Sequence, residues 1–436
     1  MMTQELMSES EMIKAAETTV FTSTQKAKLT VKTDALKKAL SEVAGSVDAK
    51  SAIPILTGVF MLATKSSIVL KGSNSNFYAE ASITDTEQFM LEEGFTAGIV
   101  LPGKQFNEIV NKVSGKIITF IFDGLKVEIK SKGSKFQLTG QHHDQYPAFP
   151  AVSEQNTFEM PSAALLHMYQ KTVYCASKAQ DQPVLTGVNH EVRDQMFRTI
   201  ATDRHRLSRL VYEMKVETGD FSHTVPASTL VEVMRRLKNT TMVKVSFDEA
   251  HVVYEMDNVT LYARVLEGKY PVTDKLVPPG FKSSAQIPSR DLKAIFKRTS
   301  LYNDASTNGC VVVLVFRPKE NQLRVLTNSD LGKFQEDVST LKGDGDPVVM
   351  TCNSKYMVQL LGTIPDHETV QFCMNDPQAP FVLHQNGVPD ANVDLIVPVR
   401  QSVPDAEIKD FNPAPTEEDP FEERGSAYAA QSEEVA

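Results

Sequence analysis

Apolar residues recur along this chain in two rhythms that take turns. Over 117–129, 243–256 and 261–266 they alternate with polar residues, the two-residue period of half-buried strands. Elsewhere the period lengthens to that of a helix. Leu36, Ala39, Leu40 and Val43 share one face of a helix predicted over 34–44, with Thr33 as its cap and Lys37, Lys38 and Ser41 turned away. The same unit opens again at Leu101-Pro102-Gly103, Met160-Pro161-Ser162, Val225-Pro226-Ala227, Ile287-Pro288-Ser289 and Thr351-Cys352-Asn353, each time followed by an apolar stripe. The starts lie roughly 60 to 70 residues apart, a half-domain repeat.

A longer period overlies this one. Pro54-Ile55-Leu56-Thr57-Gly58 is answered by Pro183-Val184-Leu185-Thr186-Gly187 and more faintly by Asn308-Gly309-Cys310-Val311, and Tyr146-Pro147 by Tyr270-Pro271. Both returns come after roughly 120 to 130 residues, so the pattern predicts three domains, each with two amphipathic helices on one side of antiparallel sheet, an α+β architecture. The expected layout is an extension over 1–28, domains over 29–155, 156–282 and 283–401, and a tail over 402–436 in which Pro404, Pro413, Pro415 and Pro420 stand among acids and the alternation stops.

Composition adjusts this picture in three places. The 436 residues suit about three cores rather than one. No apolar run reaches a membrane span and 1–28 lacks a signal-peptide core, which points to the cytoplasm. Cys175, Cys310, Cys352 and Cys373 are scattered singly, as buried thiols and not as a zinc or disulfide framework. The net charge of -10 argues against a nucleic-acid partner until its distribution is read: roughly ten acids against Lys409 and Arg424 fall after Arg400, leaving a near-neutral body able to carry one basic face.

The candidate chemistry is concentrated in Thr202-Asp203-Arg204-His205-Arg206-Leu207. The equivalent places in the other repeats, Gly72-Ser73-Asn74 and Leu326-Thr327-Asn328-Ser329, lack its charges. Asp203 with His205 can be read as the centre of a metal-assisted phosphoesterase, but two ligands without a third at regular spacing are a weak metal signal. No phosphate-binding glycine loop, nucleophile elbow, HExxH or dinucleotide fingerprint is present, and no cofactor is implied. The helix faces opposite the apolar stripes carry Lys37, Lys104, Lys112, Lys171, Arg235, Arg236, Lys238, Lys293 and Lys297. On related helices such cations point to one side and suit phosphate contacts without base reading.

The stretch 202–207 resembles the Thr-Asp-Gly-His-Arg-Leu signature of the bacterial sliding clamp, the beta subunit of the replicative DNA polymerase. Pro54-Ile55-Leu56, Pro183-Val184-Leu185-Thr186-Gly187, Tyr270-Pro271 and Ile396-Val397-Pro398-Val399-Arg400 extend the resemblance from about Lys28 to Arg400. Arg204 in place of glycine, Gln182 in place of arginine and Lys50 in place of a DNA-contacting arginine mark a diverged member, of the kind a phage or other mobile element carries.

The resemblance implies a non-catalytic head-to-tail homodimer, a ring of six domains that encircles duplex DNA without sequence preference and tethers a polymerase and a clamp loader through short peptides. It implies a peptide pocket lined by Leu185, Thr202, Arg204, His205, Arg206, Leu207, Pro271, Lys275, Leu276, Val397, Pro398, Val399 and Arg400. It further implies that Lys50 joins the DNA-facing cations. For the dimer interface it implies Lys132, Lys135 and Phe136 on one edge, with Leu301, Tyr302, Glu336 and Asp337 on the other.

Overall fold

The computed structural model describes residues 26–400 except 49, 75, 93–94, 151–155, 215–219, 304–308 and 386–391; the extension over 1–25 and the tail over 402–436 lie outside the described residues. The six expected helices are present: α1 Thr33–Ala44, α2 Gly103–Lys112, α3 Ser162–Thr172, α4 Ala227–Leu237, α5 Ser289–Thr299 and α6 Ser354–Leu361. They pack in pairs, α1 on α2, α3 on α4 and α5 on α6, and every described strand pairing is antiparallel. No helix among the described residues is long and apolar enough to cross a membrane.

The helix starts differ from expectation in one detail. Pro102, Pro161, Pro226 and Pro288 each end the preceding strand with extended ψ between 112° and 134°, and the helix begins one residue later. Proline suits the place because its fixed φ is compatible with both sides and its missing N–H ends the ladder. Thr33 is likewise no cap: it is buried inside α1 and its hydroxyl donates to the Gly115 carbonyl. Only α6 has a side-chain cap among these helices, Asn353 accepting from the Lys355 N–H at 2.9 Å.

The described chain forms two compact units. The first holds the residues up to Ala201 together with Leu210–Tyr270. Its eight-stranded sheet joins the first and second repeats, because the strand Val259–Arg264 pairs with Phe77–Ile83 in a register that sets Tyr262 beside Tyr78. One continuous apolar core runs from Leu29 to Ala263, so the repeat boundary near 156 is not a boundary of packing. A five-stranded sheet of the same unit ends on the edge strand Ser134–Thr139.

The second unit holds the residues from Pro271 on and reclaims Thr202–Arg209 from the middle of the chain. Arg206–Arg209 pair with Val393–Ile396, placing Arg206 beside Ile396 and Leu207 beside Leu395. A four-stranded sheet of this unit ends on the edge strand Gly332–Ser339. Its core is filled by Leu292, Ile295, Phe296, Phe316, Phe372 and Phe381, all fully buried.

Candidate functional site

The turn at 202–206 is built by two side chains. Thr202 Oγ1 accepts from the Arg204 N–H at 3.1 Å and donates to the Arg206 carbonyl at 2.6 Å. Asp203 Oδ1 accepts from the N–H groups of His205 and Arg206, 3.1 Å each, the local bonding that suits Asp and Thr to turns. Between them Arg204 sits at φ 74°, a left-handed conformation that favours glycine and costs an arginine about 1 kcal/mol.

The turn then aims its charges. Arg206 is 8% exposed at its side chain, yet its Nε donates to Asp203 Oδ2 at 3.0 Å and its guanidinium lies 4.6 Å from the centroid of the Tyr356 ring on α6. Its Nη1 donates to Gln359 on the same helix. The His205 ring stacks on Tyr356 at 6.0 Å and 19°. Burial pushes the Tyr356 phenol above its ordinary pKa, the Asp203 carboxylate adds to this, and Arg206 opposes it.

Three further contacts gather the surface around this turn. The Val397 N–H donates to the His205 carbonyl at 2.9 Å. The Thr351 hydroxyl donates to the Val399 carbonyl, and the Val399 N–H donates to the Thr351 carbonyl at 3.3 Å. Arg209 Nη1 donates to Asp274 at 2.9 Å, drawing in the short helical turn Asp274–Leu276. Val272 and Leu276, 71% and 48% exposed, then stand on the same unit as exposed Pro271, Lys275, Arg204, His205 and Arg400 and half-buried Val397, Pro398 and Val399.

Four of the expected lining residues are buried. Leu207 is 1% exposed beside Leu395 and Thr202 and Arg206 are 6% and 7% exposed, all on the second unit, and Leu185 is 2% exposed in the turn Pro183–Thr186 of the first. Sequence reading missed Val272, Arg209, Tyr356 and Gln359. Tyr356 was counted only as part of an apolar stripe, and its hydroxyl, which marks an aromatic suited to a half-wet site, was the signal available.

The cations expected to meet phosphate also divide. Lys50, Lys104, Lys112, Arg235, Lys238 and Lys297 are exposed and Lys37 is half-buried. Lys171 and Arg236 are corrections, at 3% and 6% exposure. Arg236 braces α4 against α1: its Nη1 meets Glu232 at 2.7 Å, its Nε lies 3.2 Å from Glu42, and it donates to the Glu42 carbonyl. Lys293 is turned back onto Asp366 and the Ile364 carbonyl. A cation committed in this way is a strut and contributes little to an outward field.

On the first edge, Lys132 and Gly133 form the hairpin tip at φ 38° and 82°, Lys135 pairs with Glu128 at 2.7 Å, and Phe136 packs its inner side on the core. On the second edge Leu301 is 76% exposed and Tyr302 leans on Phe334. Glu336 accepts from exposed Arg298 at 2.6 Å. Asp337 is a correction, since it holds Arg324, 3% exposed, through two bonds of 2.7 and 2.9 Å.

The phosphoesterase reading fails on Asp203 itself. Its carboxylate already accepts two backbone N–H groups and a guanidinium, so it is a turn-former with its lone pairs directed inward. Among the described residues no group of three His, Cys, Asp or Glu is placed to hold a metal.

Comparison with known proteins follows the repeat. Residues 27–150 match the N-terminal domain, 159–272 the central domain and 274–400 the C-terminal domain of the DNA polymerase III beta subunit. The chain is similar to the beta sliding clamp of Halalkalibacterium halodurans, 29% identical over 370 residues that cover 83% of this chain and 96% of that one. It is similar to that of Bacillus subtilis at 28% over 381 residues, 86% and 99% of the two chains. Its fold matches the crystal structure of the Bacillus subtilis sliding clamp with a TM-score of 0.82 at 26% identity, over 87% of this chain and all of that one. The beta subunit of Streptococcus pyogenes matches at 0.80 and 25%, over 86% and all of the two chains.

Proposed function

Because the chain belongs to the DNA polymerase III beta subunit family, we propose that it is a DNA sliding clamp, a non-catalytic ring that encircles duplex DNA and tethers a polymerase and its loader. The observation that carries this reading is the threefold match in unbroken order from residue 27 to residue 400. Three domains per chain, taken as 29–155, 156–282 and 283–401, close into a ring of six when two copies join head to tail. The edge strands Ser134–Thr139 and Gly332–Ser339 are free to make that joint, which would remove two exposed sheet edges. Phe136, Leu301 and Tyr302 supply its apolar part, with Lys132, Lys135 and Glu336 around them.

The exposed cations of the helices, Lys104, Lys112, Arg235, Lys238 and Lys297 with Lys37 and Lys50, support phosphate contacts that carry no sequence preference. Partner peptides would dock on the exposed surface of the second unit at Val272, Leu276, His205 and Val397, where apolar anchors adjoin hydrogen-bond donors. The place of action is the cytoplasm, where such a ring meets DNA. The test is primer extension on a single-stranded circle with a polymerase and loader, with and without this chain. Longer products per binding event are expected. Unchanged run length, or metal-dependent DNA cleavage by the chain alone, would refute it.

A further inference from the structure

The docking surface of the second unit and the sequence that leaves it are complementary. Val272 and Leu276 stand exposed on the unit that also exposes Arg204, Lys275 and Arg400, while two acids of that unit, Asp203 and Asp274, each bond an arginine of it. The chain departs from this same place: Val397 is held by His205 and Val399 by Thr351, one residue before Arg400. Residues 401–436 carry roughly ten acids against Lys409 and Arg424. Their first pairing of an aliphatic with an aromatic residue is Ile408 with Phe411, flanked by Glu407 and Asp410.

The segment that follows the Tyr-Pro pair carries an aromatic anchor in one repeat and none in the next. In the first repeat, Phe149 of the segment after Tyr146-Pro147 lies edge-on to Tyr78 at 5.2 Å and Tyr262 at 5.5 Å, with Lys71 Nζ 5.2 Å over its ring. The matching point after Tyr270-Pro271 holds Thr273, a small side chain itself buried at 4%, while Val272 next to it stays 71% exposed.

We propose that the segment around Ile408 and Phe411 docks on the Val272–Leu276 surface of its own chain and competes there with partner peptides. This rests on reading that surface as the docking site. The eleven residues from Arg400 to Phe411 span at most roughly 36–40 Å, long enough to fold back onto the unit that Arg400 belongs to. A short tether gives an effective concentration on the order of 5 mM, so an intrinsic dissociation constant of about 1 mM would weaken an outside peptide about sixfold. The acids add a salt-dependent attraction to Lys275 and Arg400.

The test uses the full chain and a fluorescein-labelled peptide of residues 404–424 as probe, followed by anisotropy. The Ile408→Ser/Phe411→Ser double variant of the full chain is expected to bind the probe about sixfold more tightly than the unaltered chain, because the internal competitor is gone. Phe421→Ser serves as the control and should leave binding unchanged. Adding Leu276→Asp to the double variant should abolish binding. Equal affinity of the unaltered chain and the double variant, or no binding to either, overturns the proposal. Polymerase stimulation separates this failure from that of the docking surface: if Leu276→Asp leaves stimulation intact, the surface itself is wrong; if it removes stimulation while the double variant changes nothing, only the tail proposal is lost.

Discussion

The first and second repeats use one backbone device for two ends. Asn74 Oδ1 accepts from the N–H groups of Asn76 and Phe77 at 3.2 and 2.9 Å, and Asp203 Oδ1 accepts from those of His205 and Arg206 in the same pattern. What enters the next strand then differs. Phe77 is a core side chain, 2% exposed, whereas Arg206 brings a charge to a position only 7% exposed and must be answered by Asp203, Tyr356 and Gln359. The linkers diverge in parallel: Phe149 packs among aromatic rings in the first unit, while in the second the matching Thr273 is a small buried residue and Val272 and Leu276 stand exposed. The turn is therefore scaffold, and function lies in what is hung on it.

The comparison breaks most severely at the two turn-formers. Asp203→Ala removes a turn and strands a nearly buried arginine, an expected loss of about 3 kcal/mol, while Asn74→Ala removes a turn alone and should cost about 1 kcal/mol. Denaturant unfolding of both variants checks this; equal losses would mean that Arg206 is not held by Asp203.

Two of the histidines in the middle repeat sharpen it next. His190 is buried in the first unit, with Nε2 2.8 Å from the Tyr169 hydroxyl and Nδ1 3.0 Å from the Val188 carbonyl, whereas His205 is exposed on the second unit. Burial pulls His190 from its ordinary 6.5 down to about 3, the Val188 carbonyl working against this and His223 with it. The unfolded chain thus takes up a proton below pH 6.5 that the folded chain refuses until about pH 3, so the folded state loses stability as the pH falls through that window. Between pH 7 and pH 4.5 the loss is on the order of 2–3 kcal/mol. His190→Gln should narrow its stability deficit against the unaltered chain by that amount over the same range. A deficit independent of pH would show that His190 is not buried neutral.

A smaller effect is expected where the surface is open. Leu276→Asp should change stability by less than about 0.5 kcal/mol yet weaken partner-peptide binding at least about tenfold. Phe149→Ala should do the reverse, costing about 2 kcal/mol of stability and leaving peptide affinity alone. Calorimetry with a polymerase-derived peptide, run beside thermal unfolding, reads both. If the two variants behave alike, the first repeat is not filled and the second not open. The mildest change is Arg204→Gly, which relieves the φ of 74° and should stabilise the second unit by about 1 kcal/mol. No gain in unfolding midpoint would show that Arg204 earns its conformation through contacts of its side chain.

The helices, the alternating strands and the threefold repeat were legible from residue pattern alone, and so was the turn at 202–206. Each is local: a stripe at helical spacing or a strand alternation has one way to bury itself, and Thr202 and Asp203 bond backbone groups within four residues. Arg236, Lys171, Leu207 and Asp337 could not be placed that way. A basic residue opposite an apolar stripe reads as solvated, and Arg236 departs from this only because Glu42 arrives from 194 residues away.

The sequence by itself determined the periodicities, the turn chemistry and the charge segregated after Arg400, because these depend on neighbours in the chain. The tertiary structure alone decided that Thr202–Arg209 leave their sequence neighbours and join the second unit. It also decided which charges face inward, since Arg206 finds Gln359 153 residues on and Arg236 finds Glu42 in the first repeat. The physical reason is the cost of burying charge: a guanidinium can enter the interior only where folding has brought a partner to it, and no local pattern records where that partner will be.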